Sequence, residues 1–313
     1  MGIKVPDQVM FIKNNQAVQK QSTVLSTGKI CVITGATSGV GYQAAAALAA
    51  KGATLVLVAR NEAKVQAVKQ EFEQLYGNPV DYVLADFTDL DQVKAAGAEI
   101  LQRYPRIDVL INSAGIYTTK KSYNHEGIEL VFCVNHMAAF VLTQLLKERL
   151  IASAPARIIQ INSEGHRFNG LNTNDLNWHK RIYTGLRGYG AAKTAQLLTV
   201  WQFATELNGT GVTINAMHPG AVKTNIGENN GRLYRWFLHH VTWKFLQDPK
   251  VAGEAIYYLA TAPELAETTG KFFNLTIEEK PAKHAYNINK QRIMWEKSLA
   301  IGGFQSEIKT QLK

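Results

Sequence analysis

The chain has 313 residues, of which 46% are hydrophobic and 19% charged, and its formal net charge is +9. This balance excludes a disordered or fibrous chain and fits a globular one. Lysines and arginines are scattered rather than run together, which argues against a nucleic-acid arm and for a solvated basic surface, with part of the excess available to a phosphate-bearing ligand.

Two cysteines occur, Cys31 and Cys133, both in apolar runs. They read as core thiols of a reducing compartment, with a disulfide or redox pair as the alternative. Without a CxxC or Cys/His cluster no metal site is expected. No apolar stretch is read as reaching the ~18 residues that span a bilayer. Residues 1–28 lack the apolar region of a secretory signal and read as an N-terminal arm, laid on a domain or disordered. A cytoplasmic protein is expected, with its domain at 29–313.

Short β-rich apolar runs follow in chain order at Ile30–Thr34, Thr54–Val58, Asp81–Ala85, Asp108–Ile111, Arg157–Ile161 and Val212–Met217. Segments with helical spacing lie between them. Gly41–Lys51 is alanine-rich and stops at Gly52, while Asn61–Tyr76 starts on a capping Asn and ends before Gly77. Thr88 with Asp91 is read as opening a third helix, and Glu126–Leu150 and Gly190–Leu207 as long buried ones. Strands that are apolar throughout and alternate with helices predict an α/β fold, a doubly wound parallel sheet covered on both faces. No linker splits it. Chemistry in such a fold is expected beyond the carboxyl ends of the strands.

After the first strand comes Thr34-Gly35-Ala36-Thr37-Ser38-Gly39-Val40-Gly41. Glycines there allow a tight turn and a close backbone approach, and the helix that follows offers its N–H groups and positive dipole end to a phosphate. Gly35, Thr37, Ser38, Gly39, Val40 and Gly41 are therefore candidate cofactor contacts. The spacing Gly-x-x-x-Gly-x-Gly, with Thr34, resembles the fingerprint of the short-chain dehydrogenase/reductase family, and the resemblance covers nearly the whole chain beyond residue 28. It implies a Rossmann-type single domain that binds a nicotinamide dinucleotide. At the end of the second strand stand Arg60 and Asn61. An acid at this position would accept from a ribose 2′-hydroxyl, whereas an Arg can fork onto a 2′-phosphate, so NADP(H) is expected in preference to NAD(H). Asp86, followed by Phe87, resembles the family's adenine-contacting segment. Asn112-Ser113-Ala114-Gly115 resembles its Asn-Asn-Ala-Gly signature with Ser in second place, and Asn112, Ala114 and Gly115 join the cofactor set.

Tyr189-Gly190-Ala191-Ala192-Lys193 is a Tyr-x-x-x-Lys pattern, and residues four apart share one helix face. A nearby ammonium and an oxidised nicotinamide would both favour phenolate, so the Tyr189 pKa is expected to be lowered. Both residues are read as catalytic and as cofactor contacts. The resemblance implies three further assignments. Ser163 hydrogen-bonds the reacting oxygen, Asn135 helps hold a water against the lysine, and Pro219, Gly220, Val222 and Thr224 form the turn that closes over the nicotinamide.

His136, His166 and His218 all neighbour these motifs. Structural imidazoles are the plain reading, but His166, three residues past Ser163, is taken as a substrate contact beside Ser163 and Tyr189.

Tyr189 lies 26 positions after Ser163, a longer step than in simple members of the family. The extra loop, Asn169–Leu186, contains Asp175-Leu176-Asn177-Trp178. With Val134-Asn135-His136, Ser153-Ala154-Pro155-Ala156-Arg157, His218-Pro219-Gly220 and Gly270-Lys271-Phe272-Phe273, it resembles the retinol dehydrogenase-like branch. That resemblance implies hydride transfer to or from the carbonyl or alcohol carbon of a lipophilic small molecule. A light-dependent protochlorophyllide-type reductase and a non-catalytic NADP-binding redox sensor are the alternatives. Tyr234, Trp236, Phe237, Trp243 and Phe245 sit in a basic aromatic stretch, 232–247, read as part of a lid at about 223–247, as a packing or subunit interface, or as a membrane-surface helix. Family habit leaves a homo-oligomer open.

Overall fold

Eight strands join in one sheet, in the order β3-β2-β1-β4-β5-β6-β7-β8. The first seven are β1 (Ile30–Thr34), β2 (Thr54–Ala59), β3 (Val80–Leu84), β4 (Val109–Asn112), β5 (Ala156–Ile161), β6 (Val212–His218) and β7 (Phe272–Asn274); β8 is Ile277–Glu279. All pairings are parallel except β7 with β8. The structure, a computed structural model, describes residues 17–222 and 248–305. The region read as a lid, with Thr224, and residues 1–16 of the arm lie outside them.

The order reverses at β1, whose neighbours are β2 on one side and β4 on the other. Such a switch point opens a crevice at the strands' carboxyl ends. Every strand near it is apolar on both faces because helices cover both. One core packs Val32, Val56, Leu110 and Ile158 under Phe132, Met137, Leu197 and Trp295. The other packs Ile33, Leu57 and Ile111 under Leu48, Phe72, Ile256 and Tyr257. Cys31 and Cys133 are free thiols, one in each core.

Helix α1 (Gly39–Ala49) begins inside the glycine loop, and α2 (Glu62–Tyr76) is capped by the Asn61 side chain and closed by Gly77 in the left-handed conformation. Asp89, not Thr88, caps α3 (Leu90–Arg103). Thr88 is unavailable because its N–H and hydroxyl both donate to Asp86 Oδ1 at 2.9 Å.

Helix α4 (Leu130–Ala152) starts four residues later than its spacing predicts. Asn124 Oδ1 accepts from the N–H of Glu126 and of Ile128, so this segment turns, and Glu129 then caps the helix through Val131 and Phe132. At 23 residues, with an 18-residue window of mean hydropathy 1.5, α4 is by length and composition able to cross a membrane, which corrects the reading that no stretch is. Its most apolar window is 78% buried, so the folded domain itself covers this surface.

Helix α5 (Gly185–Glu206) starts a turn earlier than expected, where Thr184 caps it. Two helices and the last two strands went unread in the sequence. Helix α6 (Pro249–Thr261) crosses α1 so closely that a Cβ on Gly253 would lie 2.5 Å from Gln43 O. Helix α7 (Ile288–Gly302) buries Trp295 against Phe140 and Phe203. Residues 19–28 lie along this end of the sheet. The Lys20 N–H donates to Thr276 Oγ1, the Ser26 N–H to Lys51 O, and the Tyr257 hydroxyl to Val24 O.

Candidate active site

The glycine loop is shaped by what it must clear. Gly35 has φ +68°, and a Cβ there would lie 2.8 Å from Ala114 Cα. A Cβ on Gly41 would lie 2.5 Å from Gly35 O and 3.1 Å from Ser113 Oγ. Thr34 Oγ1 accepts from the N–H of Ser113 and of Ala114 at 3.0 Å, which ties the first loop to the fourth. The Ser38 side chain makes no capping bond to α1. Thr37, Ser38, Gly39 and Val40 therefore present a helix N-terminus toward the crevice, the arrangement that suits a pyrophosphate.

Arg60 is exposed at the end of β2, and its guanidinium has no ion pair among the described residues. Asn61 spends its side chain on the Lys64 N–H. Asp86 follows β3, with one carboxylate oxygen on Thr88. The Phe87 side chain is buried in the core. Asn112 ends β4 and donates to Thr143 Oγ1 at 2.9 Å. Gly115 comes so near Asn135 that a Cβ would sit 3.1 Å from its Oδ1. Pro219, Gly220 (φ +78°) and Val222 follow β6 on the same edge.

Asn135 lies in a π-helical turn of α4, Cys133–Met137. Such a turn widens the helix and turns backbone groups out of the usual ladder. The Asn135 amide clamps Ile116, accepting from its N–H at 2.7 Å and donating to its carbonyl at 2.9 Å. Its own carbonyl accepts from Gln196 Nε2 at 3.2 Å. The Asn135 side-chain amide is thus fully engaged by Ile116.

Ser163 follows β5 and Tyr189 lies on α5. A Cβ on Gly165 would lie 2.9 Å from Tyr189 Cδ1 and Cε1, and one on Gly190 would lie 2.7 Å from Gly165 O. Two glycines thus let the Ser163 turn and α5 close on each other. Protein crowded around the Tyr189 hydroxyl pushes its pKa up to about 12, although a hydrogen bond with Ser163 pulls the other way. The expectation of a lowered value is corrected for the protein alone, because desolvation of a phenolate outweighs that bond. Burial pushes Lys193 down to about 7, and its Nζ donates to Ile161 O at 2.7 Å. The lysine stands 5.8 Å from the Tyr189 ring, one helical turn along.

The sequence reading gave Asn162 no part in the site. Its Oδ1 accepts from the Ser163 N–H at 2.8 Å, and its Nδ2 donates to Lys193 O at 3.0 Å and to Gln196 Oε1 at 2.7 Å. One buried amide thereby ties the serine to the Tyr/Lys helix. Its signal was a polar residue closing an apolar strand.

His166 is fully buried, and the reading of it as a substrate contact is corrected. Its Nδ1 lies 2.7 Å from Ser163 O, and its Nε2 accepts from the Ala282 N–H at 3.1 Å. Both ring nitrogens are taken by backbone. Burial pushes its pKa down to about 3, and the same holds for His136 and His218. His136 Nε2 lies 2.8 Å from Ser298 Oγ in the core.

The long loop is folded rather than loose. Asp175 accepts from the N–H of His179 at 2.8 Å and from Arg181 Nε at 3.0 Å. The Arg181 guanidinium covers the Trp178 ring at 3.9 Å. Lys121 Nζ donates to Trp178 O, and the Glu129 N–H to Asn177 Oδ1. Tyr117 lies edge-on to Tyr189, with ring centroids 5.8 Å apart.

A glycine cradle at the switch point and a Ser/Tyr/Lys cluster across the crevice define a nucleotide-dependent α/β enzyme. Residues 29–233 match the family profile described as short chain dehydrogenase, and the chain belongs to that family. It is accordingly an oxidoreductase of carbonyl/alcohol type that uses a nicotinamide cofactor, and it resembles the retinol dehydrogenase branch. Human retinol dehydrogenase 13 is 33% identical over 284 residues, spanning 89% of this chain and 86% of that protein. Mouse retinol dehydrogenase 14 is 34% identical over 292 residues, spanning 89% and 87%. In fold, an uncharacterised protein from Mycobacterium paratuberculosis matches with TM-score 0.72 at 24% identity, over 92% of this chain and 99% of the other.

Proposed function

We propose that this protein is an NADP(H)-dependent carbonyl reductase or alcohol dehydrogenase of lipophilic small molecules, in a cytoplasmic setting. The approach of the Ser163 turn to Tyr189 carries the reading: a Cβ on Gly165 would lie 2.9 Å from the Tyr189 ring and 3.3 Å from Ser163 Oγ. A serine hydroxyl and a tyrosine brought this close mark one point in the crevice, where a substrate oxygen meets both. Ser163 then donates to that oxygen and orients it, while Tyr189 gives up or takes the proton. Lys193 holds the cofactor ribose and, when charged, favours the phenolate. The nicotinamide, when bound, supplies or accepts the hydride at the carbonyl carbon.

The residues fit that cofactor. Gly35 and Gly41 let the loop close tightly on Ala114 and on itself, the start of α1 is left uncapped, and Arg60 is free to fork onto a 2′-phosphate. Support for an apolar substrate comes from Tyr117 against Tyr189, and from Phe168 and Leu186, which are 71% and 65% exposed three residues from Gly165 and from Tyr189. Exposed apolar side chains beside a site favour apolar ligands. Two buried free thiols suit a reducing compartment.

The test is turnover of NADPH by the pure protein with a panel of lipophilic aldehydes and ketones, alongside NADH and small polar carbonyls. The reading expects faster use of NADPH and of the apolar substrates. Equal or faster use of NADH would remove the cofactor assignment, and turnover confined to polar carbonyls would remove the substrate class.

A further inference from the structure

His166 is bonded in a way that admits one protonation state. A backbone N–H, that of Ala282, points at Nε2, so Nε2 carries no proton. A backbone carbonyl, that of Ser163, faces Nδ1, so Nδ1 must donate. The ring is therefore a neutral Nδ1–H imidazole, and a second proton would set two donors against each other at Ala282. Its own carbonyl accepts from His284 Nε2 at 2.8 Å and from Thr194 Oγ1 at 3.4 Å. Thr194 adjoins Lys193 on α5, and Ala282 and His284 belong to the segment after β8. Next in sequence, Arg167 pairs with Glu164 and donates to Glu279 Oε2 and Lys280 O at 3.0 Å. The turn that carries Ser163 is thus pinned from the C-terminal segment, and the imidazole is the pin that reaches the serine itself.

We propose that His166 is a positioning residue for Ser163. The Ala282 amide fixes its tautomer, and the Nδ1–H then fixes the Ser163 carbonyl and so the direction of its hydroxyl. The inference rests on the reading of Ser163 as the residue that orients the substrate oxygen. It concerns the ring nitrogens, which isosteric amides separate. Asparagine can place its amide nitrogen where Nδ1 stands and keep the donor. Glutamine reaches the Nε2 position and keeps only the acceptor. Ala282→Pro deletes the N–H at a φ of −59° that proline adopts.

The experiment compares wild type, His166→Asn, His166→Gln and Ala282→Pro for kcat, for KM toward NADPH, for melting temperature, and for amide exchange across residues 162–168. We expect His166→Asn to keep kcat within a few-fold. We expect kcat to fall about tenfold in His166→Gln and in Ala282→Pro, each with KM toward NADPH unchanged. Exchange across 162–168 should be faster in those two than in His166→Asn. Equal kcat in the Asn and Gln variants, or losses that simply follow melting temperature, would overturn the inference. Should wild type turn over no carbonyl, the proposed function fails. The exchange comparison still decides the pin: equal exchange in the Asn and Gln variants overturns it.

Discussion

Gly165 and Tyr189 touch at a distance that forbids a side chain between them: a Cβ on Gly165 would lie 2.9 Å from two carbons of the Tyr189 ring. The contact sets how near the serine turn and the tyrosine helix come. It also makes the site sensitive to a single methyl group, which at Gly165 would also lie 3.3 Å from Ser163 Oγ. Gly165→Ala should lower kcat about 100-fold, since displacements near 1 Å cost that much, while α5 and the sheet stay folded. Steady-state kinetics with a thermal melt checks this. A variant with wild-type kcat would show that the two elements do not need this approach.

Cofactor choice is placed on Arg60. Arg60→Asp should reverse or erase the preference for NADPH, by roughly 10- to 100-fold in the ratio of kcat/KM values, because a charge-assisted bond is worth about 1.5–3 kcal/mol. Measuring both cofactors on both proteins decides it. An unaltered ratio means that another residue reads the 2′-phosphate.

Lys193 titrates near 7 in the folded chain, against an ordinary 10.5, because it is buried. Between those values the unfolded chain holds a proton that the folded one has released, so this position adds stability as pH rises from 7 to 10. Lys193→Met removes the dependence. The melting-temperature difference between variant and wild type should therefore move in favour of wild type across that range. A difference that stays constant with pH would contradict the depressed lysine.

The parallel strands and the phosphate loop were legible in the sequence because each rests on local signals. Continuous apolar runs require cover on both faces, and glycines after a strand require a close approach. The cluster at Tyr189 and Lys193 was legible through its helical spacing. What stayed hidden depends on distant partners. Asn162 looked inert until β5 met α5, and His166 looked like a ligand contact until Ala282 arrived from more than a hundred residues away. Strands β7 and β8 are three residues each, too short for a periodic signal. For the protein alone the Tyr189 pKa is raised rather than lowered, because spacing reveals neighbouring charges but not desolvation.

The proposal as a whole rests on proton exchange at Tyr189, and one substitution addresses it. Tyr189→Phe keeps the ring against Tyr117 and Gly165 and removes only the hydroxyl. With NADPH and the best carbonyl substrate, kcat should fall at least about 100-fold, the low end of what a positioned acid contributes, with little change in NADPH binding. Turnover in the phenylalanine variant equal to wild type would contradict the account.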